Sequence, residues 1–228
     1  MHVFGKNVTK EILNNPKSIK KAYIYENFND DYILNELKKL NILCKFLSRK
    51  DLDKIEEGNH QGIILDIEDY NYASLDKILK SDLIVILDHL EDPHNFGAII
   101  RTCEAASIKS IIIPKDRSVK VNGTVMKTSV GALENVDICM VTNLVNTIKE
   151  LKDNGFWIIG TDMEGTNYKD IDYKGKIAIV IGNEGHGLSR LTKDNCDFIA
   201  KIPMYGKVNS LNASVAAALV IYEAVMNR

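Results

Sequence analysis

No apolar run in this 228-residue chain approaches the roughly 20 residues needed to cross a bilayer, which speaks against a membrane-spanning helix. Its opening residues, Met1-His2-Val3-Phe4-Gly5-Lys6-Asn7, have no long apolar core of the signal-peptide kind, so the expected location is the cytoplasm. Cysteine is scarce. Cys44, Cys103, Cys139 and Cys196 are scattered without close pairs, which argues against a zinc site or a disulfide framework and for small core residues in a reducing compartment. Neither sign of charge dominates: 29 Lys and Arg against 31 Asp and Glu give a net charge of −2. That balance disfavours a protein coated in positive charge but leaves room for a local basic patch. There is no internal repeat and no low-complexity tract.

What is present is an ordinary apolar content, 45%, in a length that suits one large or two modest domains. The first part alternates short helical and strand patterns. Helices are expected over residues 8–13, 31–40 and 49–57, and strands over 20–25, 42–46 and 62–67. Together they suggest a compact α/β domain over residues 1–70. Polar turn residues then mark residues 71–81 as a linker, with a short helix over 75–80. From Asp82 the pattern changes to strong apolar runs separated by helical segments: Leu83-Ile84-Val85-Ile86-Leu87, Ile111-Ile112-Ile113, residues 136–141, Phe156-Trp157-Ile158-Ile159, Ile177-Ala178-Ile179-Val180-Ile181 and residues 198–202. Continuous β-branched runs of this kind imply a mainly parallel sheet covered on both faces, over a second domain at 82–228. Ligands of such sheets sit beyond the carboxyl ends of the strands, which places the loops after Leu87, Ile159, Ile181 and Ile202 on one rim.

Three constellations fall on those loops. In Asp92-Pro93-His94-Asn95, Asn95 reads as a helix cap, and Arg101 follows in the second turn. Apolar Ile99, Ile100 and Cys103 flank Arg101, where a guanidinium calls for an anionic or carbonyl partner. Asp88, His89, Asp92 and His94 are metal-ligand types, but nothing fixes them on one face and no metal is expected. The loop Gly182-Asn183-Glu184-Gly185-His186-Gly187 matches neither G-x-x-x-x-G-K-[ST] nor G-x-G-x-x-G. Its glycines suit close backbone approach to a ligand, with the Glu184 carboxylate at the mouth of the sheet and His186 exposed. Ser210-Leu211-Asn212 opens an alanine-rich helix and by itself reads as a cap. Between residues 101 and 127, Arg101, Lys109, Lys115, Arg117, Lys120 and Lys127 outweigh Glu104 and Asp116, either as a solvated face or as a basic patch.

Taken together, Asn95…Arg101, then residues 182–188, then Ile202-Pro203-Met204…Ser210-Leu211-Asn212-Ala213-Ser214 resemble, in order and spacing, the three motifs of the SpoU-type RNA 2′-O-ribose methyltransferases of the SPOUT superfamily. The resemblance covers about residues 82–228. Asp92-Pro93-His94-Asn95 and Pro114-Lys115-Asp116-Arg117-Ser118 bring it closest to the branch acting on a guanosine of bacterial 23S rRNA. Phe4-Gly5-Lys6-Asn7 and His60-Gln61-Gly62 resemble, more weakly, that branch's ribosomal-protein-like RNA-binding domain. Ala213 departs from the valine usual there.

The resemblance implies an α/β fold whose carboxy-terminal sheet carries a deep trefoil knot, a feature no pattern argument would propose because true knots are nearly absent from proteins. It implies S-adenosylmethionine gripped mainly by backbone near Gly182, Ile202 and Leu211, and a homodimer, for which the helix beginning at Ala213 is a candidate interface. It also implies catalytic roles for Arg101, Asn95, Glu184, Ser210 and Asn212, with Asn95, Glu184 and Asn212 orienting Arg101, the ribose and the loop through hydrogen bonds. RNA contacts are expected from the first domain and from Lys115, Arg117 and Lys127. Arg101 would serve as general base aided by Ser210, or would stay charged and hold phosphate and developing alkoxide. The second account avoids the cost of deprotonating a guanidinium, the most basic side chain. Two alternatives remain: ribose methylation of tRNA, and an RNA-binding protein without catalysis. An oxidoreductase is disfavoured by the missing dinucleotide fingerprint.

Overall fold

The computed structural model describes residues 1–14, 16 and 19–228. The chain divides into two compact units, the first formed by residues 1–71 with 121–127 and the second by 72–120 with 128–228. The return of residues 121–127 to the first unit has no counterpart in the linear division expected from sequence.

The first unit holds a four-stranded sheet ordered β1-β4-β2-β3, made of β1 (His2–Phe4), β2 (Ile19–Tyr25), β3 (Leu43–Leu47) and β4 (Ile63–Ile67). β2 and β3 are parallel, while β4 runs antiparallel to both β1 and β2. Between the strands lie α1 (Lys6–Asn14), α2 (Asp31–Lys39) and α3 (Arg49–Ile55). The expected helices and strands fall on these elements; β1 was not foreseen, because three residues are too few to show a period. Its core joins Val3, Val8, Ile12, Ala22, Ile24, Ile33, Leu37, Ile63 and Leu65. On α2, Ile33 and Leu37 are four residues apart and so share the buried stripe. Asp30 and Ser48 cap α2 and α3 by accepting from Ile33 N and Asp51 N.

In the second unit a six-stranded sheet is ordered β10-β8-β9-β5-β6-β7, and every pairing is parallel. Its strands are β5 (Leu83–Leu87), β6 (Ser110–Pro114), β7 (Asp137–Val141), β8 (Trp157–Asn167), β9 (Ile177–Ile181) and β10 (Phe198–Lys201). β5, β6 and β9 are buried at every residue, as continuous apolar runs require when both sheet faces are covered. One face packs with α4 (Leu75–Ile78) and α7 (Leu144–Asp153), through Ile78, Ile86, Ile112, Ile148, Leu151 and Val180. Ile78 is fully buried, so the segment expected as a linker contributes to this core from α4 onward. α5 (Pro93–Ala105) and α9 (Ala213–Met226) pack on each other, and α9 also meets β9. α8 (Arg190–Asp194) completes the helices of this unit named here, while most of α6 (Gly123–Ser129) belongs to the 121–127 segment that groups with the first unit.

β8 runs to Asn167 instead of ending near Ile159. Its pairing with β10 shifts register between Ile199 and Ala200, which bond levels with Gly160 and Thr166 respectively. Two glycines permit this. A Cβ on Gly160 would lie 2.6 Å from Leu188 Cδ1 and 2.8 Å from Cys196 Sγ. On Gly165 it would press on the Ile199 carbonyl oxygen and lie 2.8 Å from Ile199 Cγ2. All four cysteines are free, and burial raises the Cys196 thiol to about 12.

The Gly165→Ala variant is expected to lose about 1–3 kcal/mol by overpacking against β10. Thermal unfolding would show this as a melting temperature lower by several degrees, and an unchanged melt would contradict the account of the register shift.

Candidate active site

The carboxyl ends of the parallel strands place the loops after β5, β9 and β10 on one rim. β5 runs straight into Asp88, whose N–H donates to the Ile181 carbonyl oxygen at the end of β9, 2.8 Å away. The Asp88 side chain is buried, and its two oxygens take separate partners: Oδ1 meets His89 Nδ1 at 2.6 Å and Oδ2 accepts from Ser189 N at 2.7 Å. His89 sits in the left-handed region at φ 57, a conformation that turns its carbonyl toward Asn183, whose Nδ2 donates to it at 2.7 Å. Asn183 Oδ1 in turn accepts from Gly185 N and His186 N, and Asn183 and Gly187 exchange two backbone hydrogen bonds of 2.9 Å. Thus one buried carboxylate and one amide close the glycine loop on itself and pin both of its ends to Asp88 and His89, directly after β5. Gly182 is packed onto the return of that loop: a Cβ there would lie 2.6 Å from Leu188 N. The part that Asp88, Asn183 and Ser189 play in holding this loop was not anticipated from sequence. The available signal was an acidic residue directly after a fully buried strand.

The α5 cap is Asp92, not Asn95. Asp92 accepts from His94 N and Pro93 occupies the first turn, so Asn95 lies inside the helix. Its side chain, with the residue only 6% exposed, is thereby free for another use. Asn95 Nδ2 donates to Glu184 Oε1 at 3.0 Å, and Asn95 Oδ1 accepts from Asn212 Nδ2 at 2.9 Å. Asn212 is a true cap: its Oδ1 accepts from Ser214 N at 2.9 Å, Ser214 Oγ at 2.6 Å and Val215 N at 3.4 Å. The chain of bonds has one direction. An ionised Glu184 can only accept, so Asn95 must offer it the NH₂, turn its oxygen to Asn212, and leave Asn212's oxygen for the first turn of α9. Residues 95, 184 and 212, far apart in sequence, are linked by their side chains.

Arg101 takes no part in this linkage. It is exposed, and among the described residues it has no hydrogen-bond or ion-pair partner, contrary to the expectation that buried neighbours would demand one. The reason is helical phase. Six residues at about 100° each turn Arg101 roughly 120° from Asn95, onto the side of α5 away from Phe96, Ile100 and Cys103. Ser210 and Leu211 are exposed and Ile202 is half-buried. Residues 204–211 make no hydrogen bond to other described residues, so their N–H and C=O groups are unspent. Lys115 and Arg117 are exposed in the second unit, whereas Lys127 is exposed in the segment that groups with the first. Arg117 is left-handed at φ 49. His186 is exposed, as its position between glycines suggested. Among the described residues, no group of three or more His, Cys, Asp and Glu converges as a metal site.

The chain matches the model of the SpoU rRNA Methylase family over residues 82–222. It belongs to that family. Residues 2–73 match a second family model, described as RNA 2′-O ribose methyltransferase substrate binding. YacO, a TrmH family tRNA/rRNA methyltransferase of Bacillus subtilis, is 41% identical over 238 residues, spanning 100% of this chain and 96% of its own. A TrmH family tRNA/rRNA methyltransferase of Staphylococcus aureus (strain COL) is 44% identical over 237 residues, covering 99% and 96%. Among solved structures, the SpoU methyltransferase AviRb of Streptomyces viridochromogenes, determined in complex with the cofactor AdoMet, superposes with a TM-score of 0.77 at 23% identity, covering 99% of this chain and 89% of its own. That likeness is one of fold, and it extends across both units. This SpoU family member is accordingly an RNA 2′-O-ribose methyltransferase of the SpoU/TrmH kind, α/β in class, with an amino-terminal substrate-binding region.

Asn95→Asp is expected to be worse than Asn95→Ala, because it sets a second carboxylate against Glu184 where an amide NH₂ stood. Like-charge repulsion is relieved once one of the two carboxylates takes up a proton, so the lost stability returns as pH falls from neutral toward the ordinary carboxylate range. Melting curves of both variants across that range measure it; a pH-independent deficit in Asn95→Asp would contradict the directed chain.

Proposed function

We propose that this enzyme transfers the methyl group of S-adenosylmethionine to the 2′-hydroxyl of a guanosine in 23S rRNA. The observation that supports a working site most strongly is the Glu184–Asn95–Asn212 linkage, which joins all three family motifs through side chains that a merely structural fold would not need. The residues suit the cofactor. The backbone groups of residues 204–211, free of partners among the described residues, would hold the cofactor's polar edges, with the apolar Ile202 and Leu211 beside them, while Gly182, Asp88 and Asn183 keep the glycine loop closed on itself. When bound, S-adenosylmethionine supplies a methyl group already activated by its sulfonium charge. The chain's own part is to hold the ribose hydroxyl in line and to stabilise the oxygen as its proton leaves. We assign that stabilisation to Arg101 with Ser210. Arg101 is exposed and without a partner among the described residues, which supports the account in which its charged fork grips phosphate and alkoxide.

The preference for rRNA over tRNA rests on the amino-terminal domain and on the Lys115 to Ser118 segment, with Lys115, Arg117 and Lys127 contacting phosphates. The path of the chain also supports a trefoil knot. β10 lies at the sheet edge outside β8, yet α9, which follows it, packs back on α5 and β9. A homodimer is part of the same reading. α9 carries an exposed apolar stripe of Val215, Leu219, Tyr222 and Met226, at the spacing of one helix face, in addition to its buried one. With Ala98 and Thr102 of α5 this stripe lines a trough, so a second copy seated there would reach the surface that bears Arg101. Free cysteines fit a reducing compartment, and the cytoplasm is the proposed location.

Methyl-labelled S-adenosylmethionine and purified protein would be given separated rRNA and tRNA from cells without this gene. Label in the large rRNA supports the reading, and label in tRNA replaces the substrate. Cofactor binding without transfer to any RNA or ribosomal particle would favour the non-catalytic alternative. Arg101→Ala is expected to slow transfer by roughly 100-fold or more with cofactor affinity nearly unchanged. For the dimer, Leu219→Asp should give monomers by sedimentation; an unaltered assembly would place the interface elsewhere.

A further inference from the structure

Within the first unit, four strand ends meet on one rim. These are the carboxyl ends of β1, of β2 and of its parallel neighbour β3, and the start of β4, which runs the opposite way. A cleft of about 390 Å³ opens there, within the usual range for a small-ligand site of about 300–1,000 Å³. Its wall carries two aromatic rings, Tyr25 and Phe28, and two cations, Lys6 and Arg49, with side-chain amides between them and no carboxylate.

The floor is built with care for fixed geometry. His60 is 3% exposed; its Nδ1 accepts from Gly62 N at 3.0 Å, which leaves Nε2 to donate to Asp53 Oδ1 at 2.9 Å. Gln61 and Gly62 both stand in the left-handed region, at φ 53 and 84. A Cβ on Gly62 would lie 3.1 Å from Phe28 Cδ2 and 3.2 Å from Tyr25 Cβ, so glycine lets the backbone pass directly beside both aromatic residues. Gln61 Oε1 accepts from Lys6 N at 2.8 Å, joining this loop to the start of α1. Lys6 Nζ is set by the Asn29 carbonyl at 3.1 Å and lies 5.0 Å from the centre of the Phe28 ring. Arg49 is exposed, and its guanidinium has no partner among the described residues.

We propose that this cleft receives one unpaired RNA nucleotide, its base against Phe28 and Tyr25 and its phosphate on Lys6 and Arg49. Two aromatic side chains on the wall suit a planar ligand, two cations without a carboxylate call for an anion, and amides able to donate and accept suit a base edge. A free phosphate would leave the rings and amides without a role. The inference rests on the reading that the chain acts on RNA, and it adds that the amino-terminal region grips a nucleotide out of helical stacking.

The test uses the full chain and a fluorescein-labelled oligouridylate of about 12 nucleotides, with a duplex RNA of the same length as comparison. The single strand should bind more tightly. Phe28→Leu should weaken it roughly ten- to hundredfold through lost stacking, while Phe28→Tyr keeps the affinity. Arg49→Ala, at an exposed position, should weaken it and reduce the slope of log affinity against log salt by about 0.7, one phosphate contact. Equal or tighter binding of duplex, no binding of the single strand, or normal affinity in both Phe28→Leu and Arg49→Ala would overturn the proposal. Loss in Arg49→Ala alone would also overturn it, since a phosphate patch needs no ring. Methyl transfer by the unaltered enzyme, measured beside these, separates the two readings. Transfer with normal binding by the variants sinks only the cleft, whereas absent transfer sinks the enzymatic reading and leaves the binding data to judge the cleft.

Discussion

A single directed run of hydrogen bonds, from the Glu184 carboxylate through Asn95 to Asn212 and the first turn of α9, is the constraint on which the second unit's site depends. Each amide in it has only one workable orientation, because a carboxylate at one end accepts and helical N–H groups at the other donate. The run brings a helix interior, a glycine loop and a helix cap into one arrangement. It would not hold if the glycine loop were free to move. The buried Asp88, bonded to both His89 and Ser189, and Asn183, bonded across to His89, remove that freedom. Asp88 and Asn95 are buried, where an unpaired polar group is costly and each has its partners, whereas Glu184 and Asn212 are exposed.

The parallel sheet explains why these pieces can meet. With every pairing parallel, all carboxyl ends fall on one rim, and three motifs carrying Asn95, Glu184 and Asn212 arrive there from different strands. The glycines do a different job at each place. Gly182 lets the loop close on its own backbone, Gly160 and Gly165 let β10 lie against β8 through a register shift, and Gly62 admits the backbone beside two aromatic residues in the first unit.

Much of this was legible in the sequence. Uninterrupted runs such as Ile177-Ala178-Ile179-Val180-Ile181 can only be strands buried on both faces, and Ile33 with Leu37 fixes the buried stripe of α2. Asn212 reads as a cap and is one. The side-chain network was less legible. Asn95 looks like a cap because it is a good capping type after Asp92-Pro93, but Asp92 is equally good, and only the fold shows which one begins the helix. Arg101 looks enclosed when its neighbours are read along the chain; read around the helix, those neighbours point elsewhere and it faces solvent. Asp88 gave almost no signal, since a buried carboxylate is recognisable only once its donors from Ser189 and His89 are in place. The return of residues 121–127 to the first unit, likewise, is a tertiary fact with no local period.

What joins fold, linkage and family is the claim that this site delivers a methyl group to a ribose oxygen. The most direct measurement is alkaline hydrolysis of RNA methylated by the enzyme with labelled S-adenosylmethionine. A 2′-O-methyl group blocks cleavage of the neighbouring phosphodiester, so the account predicts label in an alkali-resistant dinucleotide whose first residue is guanosine. Label recovered in ordinary mononucleotides would place the methyl on a base, and would contradict the account at its centre.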